Sequence, residues 1–322
     1  MLEPRRIIHM LPVGLMALVP LAAQGQNFPV KTIRIVTAGV GGGSDFTSRQ
    51  IAQAISGPLG QAVIVDNRPS GVIPGDTVAK SAPDGYTLLV TSNTLWLTPF
   101  LRSNVPYDPV RDFATISWTN FQPNILVIHP SLPVKSVKEL IALAKAKPGQ
   151  IVYSTGTSGT INHLASELFK IMAKVDMVRV PYKSGASETA DLIGGHVQLT
   201  FGSSASVIPH VRSGKLKALA VGTPKPTSVA PGVPTIAASG LPGYQTSGTI
   251  TGIWAPTKTP DAVITRLSQE IARFLRTPGA KERFFTQGAE AVGSTPEEFA
   301  AAIKADMATW GKVIKEAGIR ED

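Results

Sequence analysis

Short runs of apolar residues alternate with helical patterns over the first third of the chain. Runs rich in Val, Ile and Leu predict strands at Ile33–Val36, Ala62–Val65 and Thr87–Thr91. Between them, apolar residues recur at helical spacing from Phe46 to Leu59 and again from Asp76 to Ala82. Strand, helix, strand, helix, strand is the pattern of a parallel sheet covered by helices.

The middle third of the chain repeats this alternation. The predicted strands are Asn124–Ile128, Ile151–Ser154, Met177–Val180, Val197–Phe201 and Ala218–Val221. The predicted helices are Lys135–Lys147, Ile161–Ala173, Ser187–Ile193 and Ala205–Arg212. We therefore expect a second doubly wound α/β unit of similar size.

The last third begins without regular periodicity and ends in helices. Residues 223–247 are dense in Pro, Gly, Thr and Ser, which predicts a surface connection. One further strand is expected at Thr249–Trp254. The predicted helices are Asp261–Leu275, a short piece around Ala280–Phe285, and Pro296–Ala317, which opens with Thr295 at its N-cap.

Two α/β units followed by a helical tail predict two lobes. We expect lobe 1 to comprise residues 26–126 and 250–322, and lobe 2 to comprise residues 127–249. The apolar stripe of the tail is expected to pack on the first lobe. The chain would then cross between the lobes twice, near Asn124–Pro130 and near Ser247–Pro256, and two crossings make a hinge that can close a cleft.

Residues 1–25 have the pattern of a secretory signal peptide. Arg5 and Arg6 precede the apolar run Met10–Ala22, and small residues then lead to a cleavage site after Gly25. A buried first helix is the alternative. No later apolar run reaches about 18 residues, the length that a membrane span needs, so we expect a soluble, periplasmic mature protein.

Composition narrows the classes of function. The chain has 322 residues, 43% of them apolar, and no cysteine, which excludes disulfides, thiolate metal sites and cysteine nucleophiles. The formal net charge is +9, but no run of five Lys or Arg occurs. Nucleic-acid binding normally needs a clustered basic face, so we expect no nucleic-acid partner. The charge is typical of ordinary solubility or of weak steering of anions into a cleft.

The stretch IVTAGVGGGSDF, residues 35–46, predicts a strand, a tight turn and a helix start. Backbone N–H groups in such a turn point outward and bind anions. Gly41, Gly42, Ser44 and Asp45 are therefore candidate ligand-binding residues. Asp45 has a plainer alternative, since an acid at this position often simply caps the helix.

Two kinds of anion fit this first turn. Gly39–Ser44 nearly matches the dinucleotide fingerprint, and Asp66 ends the next predicted strand, where a ribose-binding acid would stand. Export argues against a nicotinamide cofactor. The same turn also suits the carboxylate of a small free acid, because the helix N-terminus carries a partial positive charge.

A second turn of small residues follows the predicted strand Ile151–Ser154. Its candidate ligand-binding residues are Thr155, Thr157, Gly159 and Thr160, joined by His163 one helical turn further on. Threonine and serine hydroxyls there can bind an anion without a formal charge. The alternatives are a plain polar turn and, for His163, simple helix packing. Ligands of open α/β sheets bind at the carboxyl ends of strands, where both turns are expected.

The sequence carries no clear catalytic signature. Ser158 does not lie in a GxSxG elbow, no HExxH spacing occurs, and no lysine follows the first glycines as in a P-loop. We expect a binding protein with no metal and no cofactor. The alternatives are an exported dinucleotide-dependent oxidoreductase using the first turn, a hydrolase using Ser158, and a receptor that signals through a membrane sensor.

Many segments together resemble a known family, the periplasmic receptors of tripartite tricarboxylate transporters, also called Bug receptors. The resemblance covers essentially the whole mature chain. The segments that carry it are VDNRPSG (65–71), APDGYTLL (82–89), VPYDPVRDF (105–113), VIHPSLPVKSVKELIALAKAKPGQIVYS (127–154), HLASELFK (163–170), VPYK (180–183), LIGGHVQLTF (192–201), GKLKALAV (214–221), GVPTIAASGLPGY (232–244) and GSTPEEFAA (293–301).

The resemblance implies the two-lobe, type II periplasmic-binding-protein fold, in which each lobe is a doubly wound sheet with flanking helices. It implies a receptor that closes on a small carboxylate and delivers it to a membrane permease; we also expect the protein to be a monomer. In the family both turns hold the carboxylate, mostly through backbone N–H groups, hydroxyls and bridging waters. By position, Gly41, Gly42 and Asp45 match the first family motif, and Gly159 and His163 match the second.

This chain departs from the family near the expected pocket. Thr37-Ala38-Gly39 stands where the family has a Pro-aromatic-Pro run, and the turn at 70–75 is shorter than usual. Gly202 stands where many members carry an acid. The loss of that acid suits a purely anionic or less polar ligand, and the ligand's identity stays open.

Overall fold

The computed structural model describes residues 28–69, 71–316 and 318–320, so the predicted signal peptide at 1–25 lies outside the described residues. The strands are β1 Ile33–Thr37, β2 Val63–Asn67, β3 Thr87–Ser92, β4 Phe113–Gln122, β5 Asn124–Ile128, β6 Val152–Thr155, β7 Val178–Pro181, β8 Leu199–Ser203, β9 Lys217–Val221, β10 Thr249–Pro256 and β11 Glu290–Ala291. The helices are α1 Gly43–Leu59, α2 Ile73–Ala79, α3 Thr94–Leu101, α4 Val137–Ala146, α5 Ile161–Ala173, α6 Gly185–Ile193, α7 Ser204–Arg212, α8 Asp261–Leu275, α9 Pro278–Thr286 and α10 Pro296–Glu316.

The first sheet has six strands in the order β11-β4-β10-β3-β1-β2. Strand β1 runs parallel to β2 and β3, as predicted, whereas β10 runs antiparallel to both β3 and β4. The sheet is therefore mixed. Helices α1 and α8 supply one buried layer on it, which includes Ile51, Ile55 and Leu267.

The second sheet has five strands in the order β7-β6-β8-β5-β9. Strand β6 runs parallel to β7 and β8, but β5 runs antiparallel to β8 and β9. This strand enters directly from the first sheet at the edge where β6 and β8 end, so it must run the opposite way. Two α/β sheets with flanking helices confirm the expected fold class.

The chain passes between the sheets at two narrow places. One is Pro123, between the end of β4 and the start of β5. The other is the segment ending at Gly248, just before β10. A Cβ on Gly248 would lie 2.7 Å from the carbonyl oxygen of Gln122, so the two passages touch. The predicted crossings lie near Asn124–Pro130 and near Ser247–Pro256: Pro123 directly precedes the first range, and Gly248 lies within the second. The lobe boundaries stay a prediction.

The prediction that 223–247 forms a surface connection is wrong. Val229, Ile236 and Tyr244 are almost completely buried. The Tyr244 hydroxyl donates to the carbonyl of Ala165 on α5 at 2.9 Å. Proline and glycine correctly indicated irregular backbone here, but the apolar residues among them pack into the core of the second sheet.

The tail packs on the first sheet, as expected. Phe299 and Trp310 of α10 are buried in one cluster with Trp96 of α3. Trp96 is fully buried, and its Nε1 donates to Asp306 at 2.8 Å. None of the helices in the part of the chain that the structure describes is long and apolar enough to cross a membrane.

Candidate functional site

Both small-residue turns lie at the carboxyl ends of parallel strands. The first turn, residues 38–42, leads from β1 into α1, and the second turn, residues 156–160, leads from β6 into α5. Each turn therefore ends at the N-terminus of a long helix. This is the edge of an α/β sheet at which ligands bind.

Contacts at the Pro123 passage bring the two helix starts towards each other. A Cβ on Gly43, the first residue of α1, would lie 3.0 Å from Nε2 of Gln122. On the other side of Pro123, Asn124 donates from Nδ2 to Oδ1 of Asn162, in the first turn of α5, at 2.9 Å. The N-termini of α1 and α5 thus flank the same short passage between the sheets.

The buried carboxylate of Asp45 stabilises the first turn through hydrogen bonds. Gly41 has a φ of +85°, and its N–H donates to Oδ2 of Asp45 at 3.0 Å. Asn67 donates to the other oxygen of Asp45 at 2.8 Å, and Arg49 contacts the same carboxylate. Burial alone would raise the pKa of Asp45, but the hydrogen bonds from Gly41, Arg49 and Asn67 outweigh it and lower this pKa. Asp45 therefore stabilises the first turn, and the N–H of Gly41 already has this carboxylate as its acceptor.

The start of α1 has backbone donors without intrahelical acceptors. Gly42 is the N-cap, and no side chain caps the helix. The N–H groups of the first helical turn have no intrahelical acceptor by geometry. Those of Gly43 and Ser44 therefore face outward with the positive end of the helix dipole behind them.

Inward-facing donors hold the carbonyls of the second turn. Thr155 donates from Oγ1 to the carbonyl of Gly156 at 2.9 Å, and Thr160 donates to the carbonyl of Thr157 at 2.8 Å. Both hydroxyls thus already donate to backbone carbonyls, and their contact with an anion stays a prediction. In a trans peptide the N–H points opposite to the C=O, so the N–H groups of Thr157 and Ser158 point away from these donors.

Sequence reasoning missed an arginine that holds this turn. Arg179 on β7 donates from Nε to Oγ1 of Thr155 at 2.9 Å and from Nη2 to Oγ of Ser158 at 3.2 Å. The same Nη2 lies 3.4 Å from the carbonyl of Gly156. The sequence feature that could have indicated this role is a single arginine within the otherwise apolar strand β7, which pairs with β6. The second turn thus has a formal positive charge beside it, contrary to expectation.

The ring of His163 contacts the backbone of the second turn. Gly159 has a φ of +83°, and its N–H lies 3.4 Å from Nδ1 of His163. Burial, followed by the charge of Arg179, lowers the pKa of His163 to about 4. The ring is neutral near pH 7, and since Nδ1 accepts, the proton sits on Nε2. His163 therefore orients the turn, and it is buried in the helix packing.

The second turn also contacts helix α3. A Cβ on Gly159 would lie 3.1 Å from Leu101 and 3.3 Å from the hydroxyl of Thr98, both on α3. Ile161 and Leu164 of α5 share a buried cluster with residues of α3. Any side chain larger than hydrogen at Gly159 would therefore press against α3.

Another unexpected group is a buried acid under the second turn. Glu188 of α6 accepts hydrogen bonds from Ser154 at 3.1 Å and from Thr200 at 2.8 Å. Burial raises its pKa against the effect of these two bonds. At Gly202 a Cβ would lie 2.4 Å from Cγ1 of Val207. Packing against Val207 thus leaves no room for a side chain at this position.

The geometry gives little support to the two enzymatic alternatives. Asp66, the candidate ribose-binding acid, is already bound by Arg34 and by Arg68. Ser158 accepts from Arg179, and no histidine bonds its hydroxyl among the described residues. Within those residues, no group of three His, Asp or Glu side chains is arranged to hold a metal ion.

Comparison with known proteins gives consistent matches. The family TctC, "Tripartite tricarboxylate transporter family receptor", matches residues 47–319. BugT of Bordetella pertussis is 34% identical over 299 residues, which are 91% of each chain. Rpa4515 of R. palustris, solved with adipate, is 34% identical with a TM-score of 0.86, covering 91% of this chain and 99% of that one. MatC of Rhodopseudomonas palustris, solved with bound malate, is 26% identical with a TM-score of 0.82, covering 89% of this chain and all of that one.

Proposed function

The chain belongs to the tripartite tricarboxylate transporter receptor family, and from this membership we propose that it binds a small carboxylate between its two sheets and delivers it to the membrane subunits of such a transporter. Adipate and malate, held by two similar structures, are both dicarboxylates. We therefore propose a small di- or tricarboxylate as the solute.

The observation that carries this proposal is the pair of helix starts beside Pro123. In the first turn the carboxylate of Asp45 is already hydrogen-bonded, and in the second turn the carbonyls of Gly156 and Thr157 are. Backbone N–H groups of both turns are left to bind an anion. Such charge-assisted hydrogen bonds contribute about 1.5–3 kcal/mol each. Closing the lobes and ordering the solute cost part of this energy, so a few such bonds suit a reversible carrier.

We assign direct contact to the N–H groups of Gly43, Ser44, Thr157 and Ser158, together with the hydroxyls of Ser44 and Thr157. Gly41, Gly42, Asp45, Thr155, Gly159, Thr160 and His163 then shape the two turns around the solute. This divides the residues expected from the sequence into contacts and supports. The division rests on which polar atoms already have partners.

We also propose that the protein is exported, loses residues 1–25 and acts as a monomer in the periplasm. The basic, apolar and small-residue regions of 1–25 support export. N-terminal sequencing of protein recovered from the periplasm should read Gln26 first. An N-terminus that still carries Met10–Ala22 would contradict this part of the proposal.

Thermal-shift and calorimetric titrations of the exported protein with adipate, malate, citrate and acetate test the function. A solute at about 100 times its dissociation constant should stabilise the fold by about 2.7 kcal/mol. At least one di- or tricarboxylate should bind with one-to-one stoichiometry. If none of these acids binds, while NADH or an ester substrate does, the proposal is wrong.

A further inference from the structure

We propose that Arg179 is a positioning residue that orients the second turn for anion binding and supplies the positive charge that attracts the solute's carboxylate. This inference rests on the proposed function. It concerns a residue that the turn motif itself does not contain, since Arg179 lies on β7 and reaches the turn across the sheet edge.

The contacts of Arg179 span the turn. Its guanidinium bonds the side chain of Thr155, the carbonyl of Gly156 and the hydroxyl of Ser158, at 2.9, 3.4 and 3.2 Å. A planar fork of donors can hold three groups in one orientation, whereas an ammonium group is a compact point charge. Arg179 thus fixes both ends of the segment 155–158.

These hydrogen bonds fix the orientation of the peptide groups in the second turn. The carbonyl of Gly156 receives a hydrogen bond from Thr155 and a longer one from Arg179. Because the peptide is trans, its N–H, which belongs to Thr157, points to the opposite side. Thr160 fixes the next peptide in the same way, through its N–H and its hydroxyl on the carbonyl of Thr157. Two successive N–H groups therefore face outward as an anion-binding concavity.

The charge of Arg179 lies directly beside the turn, as its contacts with Thr155 and Ser158 show. Lys170 pairs with Glu167 at 3.1 Å, and Glu167 also accepts from the hydroxyl of Tyr153. His163 is neutral near pH 7, partly because Arg179 lies close to it. The cation that contacts the turn residues is thus an arginine, which stays protonated at any physiological pH.

The experiment compares Arg179→Gln, which removes the charge, with Arg179→Lys, which keeps the charge and loses the fork. Arg212→Gln is the matched control, because Arg212 is exposed at the end of α7. The probe is adipate, or malate if it gives the larger thermal shift on the parent protein. Affinity is measured by calorimetry at low and at high salt, and the pKa of His163 is measured by NMR of its ring.

We expect Arg179→Gln to weaken binding by about tenfold or more, as removal of a nearby charge should. Arg179→Lys should recover part of this loss, and Arg212→Gln should bind like the parent protein. The pKa of His163 should rise in Arg179→Gln and stay low in Arg179→Lys, where Glu167 and Lys170 are unchanged. This second readout does not depend on the solute or on the overall stability of the variants.

Two results would overturn the inference while the proposed function stands. In the first, Arg179→Gln binds the acid as tightly as the parent protein. In the second, the glutamine and lysine variants lose the same affinity and the pKa of His163 does not move, which would leave Arg179 a purely structural residue. If the parent protein binds none of the acids, the proposed function fails first, and this inference fails with it.

Discussion

Asn124, the first residue of β5, donates from Nδ2 to Oδ1 of Asn162 at 2.9 Å. Strand β5, by which the chain enters the second sheet, is thus bonded to the first turn of α5, the helix that follows the second turn. Asn124 also donates to the carbonyl of Phe201 on β8 at 2.9 Å. The crossing, the start of α5 and the edge of the second sheet are therefore joined in one polar cluster.

Replacing Gly159 with alanine should weaken carboxylate binding. The residue has a φ of +83°, which costs an L residue about 1 kcal/mol, and the new methyl group would press on Leu101 and Thr98. Gly214→Ala is the control, since Gly214 has a φ of +73° but open space around its Cβ. Denaturant titration should show that both variants lose stability, while calorimetry should show that only Gly159→Ala loses affinity. Equal affinity in the two variants would count against the site.

Replacing Asp45 with asparagine should destabilise the protein by about 1–3 kcal/mol at pH 7 and loosen the first turn. The pKa of Asp45 is lowered in the fold, so its contribution is present above the ordinary carboxyl pKa and is lost as the pH falls through the folded value. The stability difference between parent and variant should therefore shrink in acid. Asp176→Asn, at an exposed position, is the control. A difference that grows as the pH falls would contradict the assigned role.

Replacing Glu188 with glutamine should show the opposite pH dependence. Burial raises the pKa of Glu188, so the folded state binds its proton more tightly and the parent loses stability as the pH rises from the ordinary carboxyl pKa towards the folded value. The variant lacks this loss and should gain stability relative to the parent as the pH rises above about 4.3, the ordinary pKa of glutamate. Chemical denaturation at several pH values measures the difference in stability between the variant and the parent, and Glu282→Gln, at an exposed position, is the control. A variant that gains nothing over this range would show that the acid is stable as a carboxylate.

Replacing Gly202 with alanine should destabilise the second sheet by about 1–3 kcal/mol, because the new Cβ would lie 2.4 Å from Val207. Val207→Ala should lose packing by itself, but the double variant should lose less than the sum of the two single variants. A double-mutant cycle by denaturant titration tests this coupling. Strict additivity would mean that something other than Val207 keeps position 202 free of a side chain.

The pattern of the sequence predicted the elements with clear periods well. Helices Ile161–Ala173 and Asp261–Leu275 and strand Asn124–Ile128 were predicted with their observed bounds. Strand β4 and helix α3 were not predicted. Strand β4 is buried on both faces and rich in Ser, Thr and Asn, and α3 contains Pro99 in a nearly continuous apolar run, so neither shows a regular alternation.

The site was harder to predict than the fold. The two turns are local in sequence, and glycine with small polar residues was enough to indicate them. Arg179 reaches the second turn, and Glu188 the strand β6 before it, from other elements, at 24 residues from Thr155 and 34 residues from Ser154. Their roles depend on which strands pair, and that information is not contained in any short motif.

The central claim is that one carboxylate is held by backbone N–H groups from both turns. A crystal structure of the exported protein with the acid that binds most tightly tests it most directly. The account predicts carboxylate oxygens at about 2.7–3.1 Å from N–H groups of α1 or its preceding turn and from those of Thr157 or Ser158. An acid bound elsewhere, or bound through only one of the two turns with the other facing solvent, would contradict it.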